Sequence, residues 1–372
     1  MGRSRGLMKY QIQEPPFSIE QILAGGMKEE SGMARQFDEK YTTNELMMEF
    51  YERERPKMNL LSCPLDGMNA ERQRLITGLR EVLDIDKLKE LLPGPLTYNK
   101  ECEFVTFGVT TEKYCVNMAD ALNVPVYKLI PEQPNGRTVL YLHGHDNEGV
   151  MGAIMERYDK VRYHKNLPVL LAKEGFTVFA PELLGFGESD YLDFPEGKKP
   201  RGGCAAHVAF LTVCGYNLTG FRVFETMRVL DMMEQTGVDM PCIGFGVSGG
   251  GQVGEYLGVL DERIGALGLS SYPNLFLHSI LHKEQCSDNY VSGMLRVGES
   301  HEILAAFAPK PLLVSNGRGD RAFTLKGSEI AFPFLEQVYA RMGCAENITT
   351  NIFLGGHEIN ADIVLDWFRT QR

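Results

Sequence analysis

The segment IGFGVSGGGQ (residues 243–252) sets Ser248 among glycines, in the pattern Gly246-Val247-Ser248-Gly249-Gly250. A serine hydroxyl attacks a carbonyl only when a base takes its proton and a third group orients that base. Glycines two before and two after the serine suit a sharp strand-to-helix turn, where two backbones crowd together and a side chain would not fit. The competing reading is a phosphate-binding turn. Gly244, Gly246 and Gly249 do have the G-x-G-x-x-G spacing, but this reading is disfavoured because no acidic residue follows in the right place, about 20 positions on.

The chemistry requires an element on each side of the serine. PCIGFG, just before it, reads as a buried strand, and GQVGEYLGVL, just after it, as a helix. Downstream, KPLLVSNGRGDRAF carries Asp320 in the polar loop that ends an apolar run, and NIFLGGHEIN carries His357 after the next one. The order serine, acid, histidine and the position of each at a strand end fit a catalytic triad. Asp190, Asp288 and Glu358 compete for the acid. Asp190 precedes the serine, and Glu358 adjoins the histidine and would point elsewhere. His278, His282 and His301 compete for the base. The oxyanion donors expected are the backbone N–H of Gly249 and that of His145, after the strand TVLYLHG and its Gly144. His278 and His282, in HSILH, have the i, i+4 spacing of a metal pair. With no HExxH signature and no third ligand, they read instead as part of a lid helix. HGH at 143–145 reads as a strand end, and no metal and no cofactor are expected.

From about residue 137 to the end, strands and helices alternate, which predicts a mostly parallel sheet covered on both faces. CEFVTFGV, KYCVNMA and VPVYKLI precede it as short strands of an antiparallel start. Residues 1–95 read as a charged helical extension or cap. TTNE at 42–45 has capping-box spacing, and Leu75, Leu79, Val82 and Leu83 share one helix face. Residues 96–372 form the expected catalytic domain, with 272–305 as a lid insertion.

The net charge of −11 sets the chain against nucleic acid and anionic membranes as partners. No stretch approaches the ~18 apolar residues of a membrane span. The basic N-terminus lacks a signal-peptide core, so a cytoplasmic location is expected. The eight cysteines contain no C-x-x-C pair, and free buried thiols are the expected state.

These motifs, with LYLHGHDN, PELLGFGES and CSDNYVSGMLR, resemble the α/β-hydrolase superfamily, and within it the acetyl-xylan-esterase-like and dienelactone-hydrolase-like branch, over roughly residues 100–372. The resemblance implies Ser248 as nucleophile, Asp320 as acid and His357 as base, acting on a carboxylic ester without a cofactor. Relatives often have histidine where this chain has Val247, and proline where it has Arg321. Both differences bear on the substrate rather than the mechanism. The expected partner is a small soluble ester, such as an acetylated sugar, and a homo-oligomer is an open alternative to a monomer. Rival functions are a peptidase, a carbon–carbon bond hydrolase, or a ligand-binding homologue that has kept the pocket.

Overall fold

The structure is a computed structural model that describes residues 43–119, 122–155, 163–192 and 201–371. The chain divides into two units, Met1–Phe50 and Tyr51–Arg372. The first is described only over residues 43–50, where helix α1 (Asn44–Glu54) begins. Thr42, the first residue of the capping-box tetrad, lies outside the described residues, as does the rest of the N-terminal segment before it.

In the second unit, α2 (Met68–Val82) and α3 (Ile85–Leu91) precede the sheet. Strands β1 (Thr97–Thr106), β2 (Val109–Ala119) and β3 (Leu122–Ile130) are followed by β4 (Thr138–Leu142), α4 (Gly149–Ile154), α5 (Leu167–Lys173) and β5 (Thr177–Pro181). A two-stranded ribbon of β6 (Tyr191–Leu192) and β7 (Arg201–Gly202) leads to α6 (Cys204–Val213) and α7 (Leu218–Gln235). Next come β8 (Cys242–Val247), α8 (Gly249–Leu260), β9 (Ile264–Ser270), α9 (Met294–Val297) and α10 (Ser300–Leu304). The chain ends with β10 (Leu312–Gly317), α11 (Leu325–Arg341), β11 (Ile348–Phe353) and α12 (Ala361–Thr370).

Nine strands form one sheet in the order β1-β2-β3-β5-β4-β8-β9-β10-β11. The pairings β1–β2, β2–β3 and β3–β5 are antiparallel. From β5 through β11 every pairing is parallel. The antiparallel start and the parallel remainder are those expected from the alternation of elements.

Strand periodicity sends successive side chains to opposite faces, and two cores result. Leu140, Leu142, Leu267, Leu269, Leu312 and Val314 join the core beneath α7, α8 and α11, whereas Val139, Tyr141, Phe245, Val247 and Leu313 join the one beneath α4, α5 and α12. On β8 the residues alternating with Ile243, Phe245 and Val247 are Gly244 and Gly246, which lets α8 approach the sheet closely. The compact unit begins at Tyr51, and Leu75, Leu79, Leu83, Ile85 and Leu88 of the N-terminal helices are buried in the first core.

One expectation fails. Residues 272–293 contain no lid helix. They run as loop with two single turns of 3-10 helix, Phe276–His278 and Ser287–Asn289. The i, i+4 spacing of His278 and His282 is therefore not a helical face. The loop is held by its own polar bonds instead, Ser279 Oγ to Leu275 O at 2.7 Å and Tyr290 Oη to Ile280 O at 3.1 Å.

Candidate active site

Ser248 lies between the last residue of β8 and the first of α8, with φ 55° and ψ −123°. A non-glycine residue holds such backbone angles only when its surroundings impose them. The glycines show what imposes them. A Cβ on Gly250 would stand 2.2 Å from the carbonyl oxygen of Leu142, and one on Gly246 would stand 2.3 Å from that of Gly250. Strand β4, strand β8 and helix α8 thus meet backbone to backbone around the serine.

The loops after β10 and β11 bring the other two groups. They are stitched together by Arg318 N–H to Phe353 O and Gly319 N–H to Gly355 O, both 2.8 Å. His357 Nε2 lies 2.9 Å from Ser248 Oγ, and His357 Nδ1 lies 2.8 Å from Asp320 Oδ2. The other Asp320 oxygen accepts the N–H groups of Ala322 (2.8 Å) and Phe323 (3.0 Å), which fixes the carboxylate. The rings of Tyr163 and Phe323 flank the imidazole, with centroids 5.6 and 5.8 Å away. The Asp320 side chain is fully buried and that of His357 is 31% exposed, so the inner group is shielded and the outer one meets the cavity.

The competing residues stand elsewhere. Asp190 accepts the N–H of Gly203, Glu358 pairs with Lys165, and His301 is buried against Phe334. Asp288 faces His145.

The cavity of about 320 Å³ in front of Ser248 is lined by His145, Tyr163, Gln285, Cys286, Asn289, Ala322, Phe323 and His357. A larger cavity of about 500 Å³, between α3 and α7, holds no serine or histidine and so lacks this chemistry. Among the described residues, the segment 51–95 contributes no side chain to the cavity in front of Ser248, which takes Gln285, Cys286 and Asn289 from the 272–305 segment.

The main chain at Gly144 and His145 runs directly beside the serine, since a Cβ on Gly144 would come within 2.8 Å of the Ser248 Cβ. Gly249 opens α8, so its N–H has no acceptor within the helix. The His145 ring covers Gly249, its Nδ1 2.6 Å from where a Cβ would stand. Its Nε2 lies 2.9 Å from Asp288 Oδ2. Burial opposes charge on this imidazole, but the Asp288 carboxylate and Cys204 outweigh it and raise its pKa to about 9. Burial likewise opposes charge on Asp288, yet His145 and Arg222 hold it well below the usual carboxylate range.

Sequence spacing did not reveal one cluster. His145, Cys204, Cys286 and Asp288 come from three separate segments, and their nitrogen, sulfur and oxygen donors all lie within 4.8 Å of one another. Only the Cys286-x-Asp288 spacing was local enough to hint at it.

No family model matches the sequence. YtaP, a provisionally named hydrolase of Bacillus subtilis (strain 168), is 27% identical over 236 residues, 60% of this chain and 74% of its own length. A provisionally assigned acetyl xylan esterase (BF1801) from Bacteroides fragilis NCTC 9343 superposes with a TM-score of 0.67 at 15% identity, over 91% of this chain and 97% of that one. Methylesterase BT1017 gives a TM-score of 0.62 at 21% identity over 81% of this chain, which spans 63% of that protein's length. The fold is that of the α/β-hydrolases. In this fold the Ser248 turn stands at the C-terminal end of β8, beside the strand-order reversal at β4 and β5. Ligands bind at such a position in open α/β sheets.

Proposed function

We propose that this chain is a serine-type carboxylic ester hydrolase acting through an acyl-enzyme. The observation that carries the reading is the continuous relay Ser248 Oγ, His357, Asp320, with both links under 3 Å, at a serine held in a strained turn. Asp320 accepts the Nδ1 proton of His357, so Nε2 is left as the base. It takes the proton of Ser248 as Oγ attacks the ester carbonyl. The N–H groups of Gly249 and His145 receive the developing oxyanion, and the positive end of α8 adds to their field. His357 then protonates the departing alcohol. A water molecule, activated by the same nitrogen, releases the acid and restores Ser248.

The half-open cavity combines the aromatic walls Tyr163 and Phe323 with the amides Gln285 and Asn289. That mixture suits a small acyl or alkyl group joined to a polar, hydroxyl-rich partner. The esterases of similar fold are named for acetyl xylan and for methyl esters, which supports a carbohydrate ester as the substrate class. The test is a panel of acetylated sugars, methyl uronates, simple aryl esters and peptides, run on the wild type and on Ser248→Ala. The expected result is ester turnover that falls at least ~10³-fold in the variant while the fold is kept. Ester turnover retained by Ser248→Ala, or cleavage of peptides alone, would overturn the assignment.

A further inference from the structure

We propose that His145, Cys204, Cys286 and Asp288 form a binding site for a zinc-like divalent metal beside, and separate from, the hydrolytic relay. The two sulfurs, the imidazole nitrogen and the carboxylate come from the loop after β4, the first residue of α6 and the loop before α9. Bonds of about 2.0–2.3 Å from zinc place tetrahedral donors about 3.3–3.8 Å apart. The observed limit of 4.8 Å therefore leaves each donor within about 1 Å of closure. Two thiolates with an imidazole and a carboxylate select a borderline-soft ion over magnesium or calcium, which prefer oxygen alone.

The surroundings match the charge of such a site. Two thiolates, one carboxylate and a neutral imidazole around a divalent ion carry a net −1. The fully buried Arg222 supplies the balancing +1, with Nη2 3.1 Å from Cys204 Sγ and Nη1 bonded to Asp288 Oδ2. Arg222 is itself fixed by Nε to Leu184 O at 2.8 Å and by the Phe186 ring. The main chain of the ligand loop is held both from within and from neighbouring elements. Thr219 Oγ1 donates to Asp288 O (2.6 Å), Asn289 Nδ2 to Cys286 O (3.0 Å) and Gln252 Nε2 to Asn289 O (3.2 Å). These bonds fix the loop, while Arg222, on the Cys204 and Asp288 side chains themselves, is the kind of outer partner that orients metal ligands. Cys286 also lines the catalytic cavity, which gives an ion a route in. Binding displaces the thiol protons and any proton on His145 Nε2 to solvent, with no change of oxidation state. The ion would pin the loop that walls the substrate cavity and the ring that covers Gly249.

The test uses the full chain, kept reduced, loaded with zinc and dialysed against metal-free buffer. The expected result is one zinc per chain in the wild type and in Ser248→Ala, and a loss of ~10-fold or more in Cys204→Ser/Cys286→Ser. Cobalt(II) in the wild type should give a thiolate charge-transfer band and a tetrahedral visible spectrum, a readout that needs no variant. Zinc should also raise the melting temperature of the wild type. A reduced wild type that retains no zinc and shows no cobalt–thiolate band overturns the site, leaving an internal ion-pair cluster. Zinc content unchanged in the double variant overturns it as well. So does a Cys204–Cys286 disulfide whose reduction fails to bring metal uptake. None of these readouts depends on ester turnover.

Discussion

Asp320 shows how much depends on a single atom. One of its oxygens is committed to the N–H groups of Ala322 and Phe323, and the other meets His357 Nδ1. Asp320→Asn can keep the first pair of bonds with its amide oxygen. Its NH2 group then faces Nδ1 as a donor and forces the imidazole proton to Nε2, where it can no longer accept from Ser248. The expected outcome is a fall of roughly 10³–10⁴ in kcat, with circular dichroism and melting temperature close to wild type. An active Asp320→Asn would mean that another carboxylate orients the base. Glu358, the neighbour in sequence, is already paired with Lys165.

Elements explain both what the sequence made legible and what it hid. The parallel strands were readable because each is a short apolar run closed by glycine or a polar loop, and the relay was readable because its members follow such runs. The lid helix expected over HSILH was not there, because two histidines four apart are a weak helical signal and the loop's own hydrogen bonds hold another course. The thiol cluster was hidden for a different reason. Cys204 and Cys286 are far apart in sequence, and only the meeting of the start of α6 with the loop before α9 brings them together. The glycines at the serine turn lie between these cases: their spacing was plain, but their reason is a backbone contact. Gly250→Ala would push a methyl to 2.2 Å from Leu142 O, and neither backbone can give way. We expect a loss at or above the ~1–3 kcal/mol typical of overpacking. At ~2.1 cal/mol/K of unfolding entropy per residue, that would lower the melting temperature of the unit Tyr51–Arg372 by roughly 1.5–4.5 °C. Gly356→Ala, where a Cβ would meet nothing within 4 Å, is the control and should melt with the wild type. Equal melting of both variants would show that the crowding at Gly250 is not what fixes the turn.

The whole molecule carries a pH dependence set by carboxyl groups that its catalytic site does not use. Glu225 on α7 is 1% exposed, and burial pushes its pKa up to about 8 against the opposing pull of the Leu184 N–H and Arg222. Glu255 on α8 is fully buried and is likewise raised well above the usual range, chiefly by burial and in spite of its bonds from Ser300 Oγ. Unfolded glutamate titrates near ~4.3. Between that value and the folded pKa the native state holds a proton that the unfolded chain has released. Stability therefore falls as pH rises, by about 1.4 kcal/mol per pH unit for each such group. For Glu225 the window runs from ~4.3 to about 8, and below it the penalty vanishes because both states are protonated. Glu225→Gln removes the titration while its amide oxygen can still accept the Leu184 N–H, a bond of 2.9 Å in the wild type. The variant should match the wild type in urea unfolding near pH 4, at the foot of the window. Near pH 8 it should be the more stable of the two, with the difference growing steadily in between. Parallel stability–pH curves for the two proteins would show that Glu225 is already ionised in the native state, with Arg222 as its counter-charge.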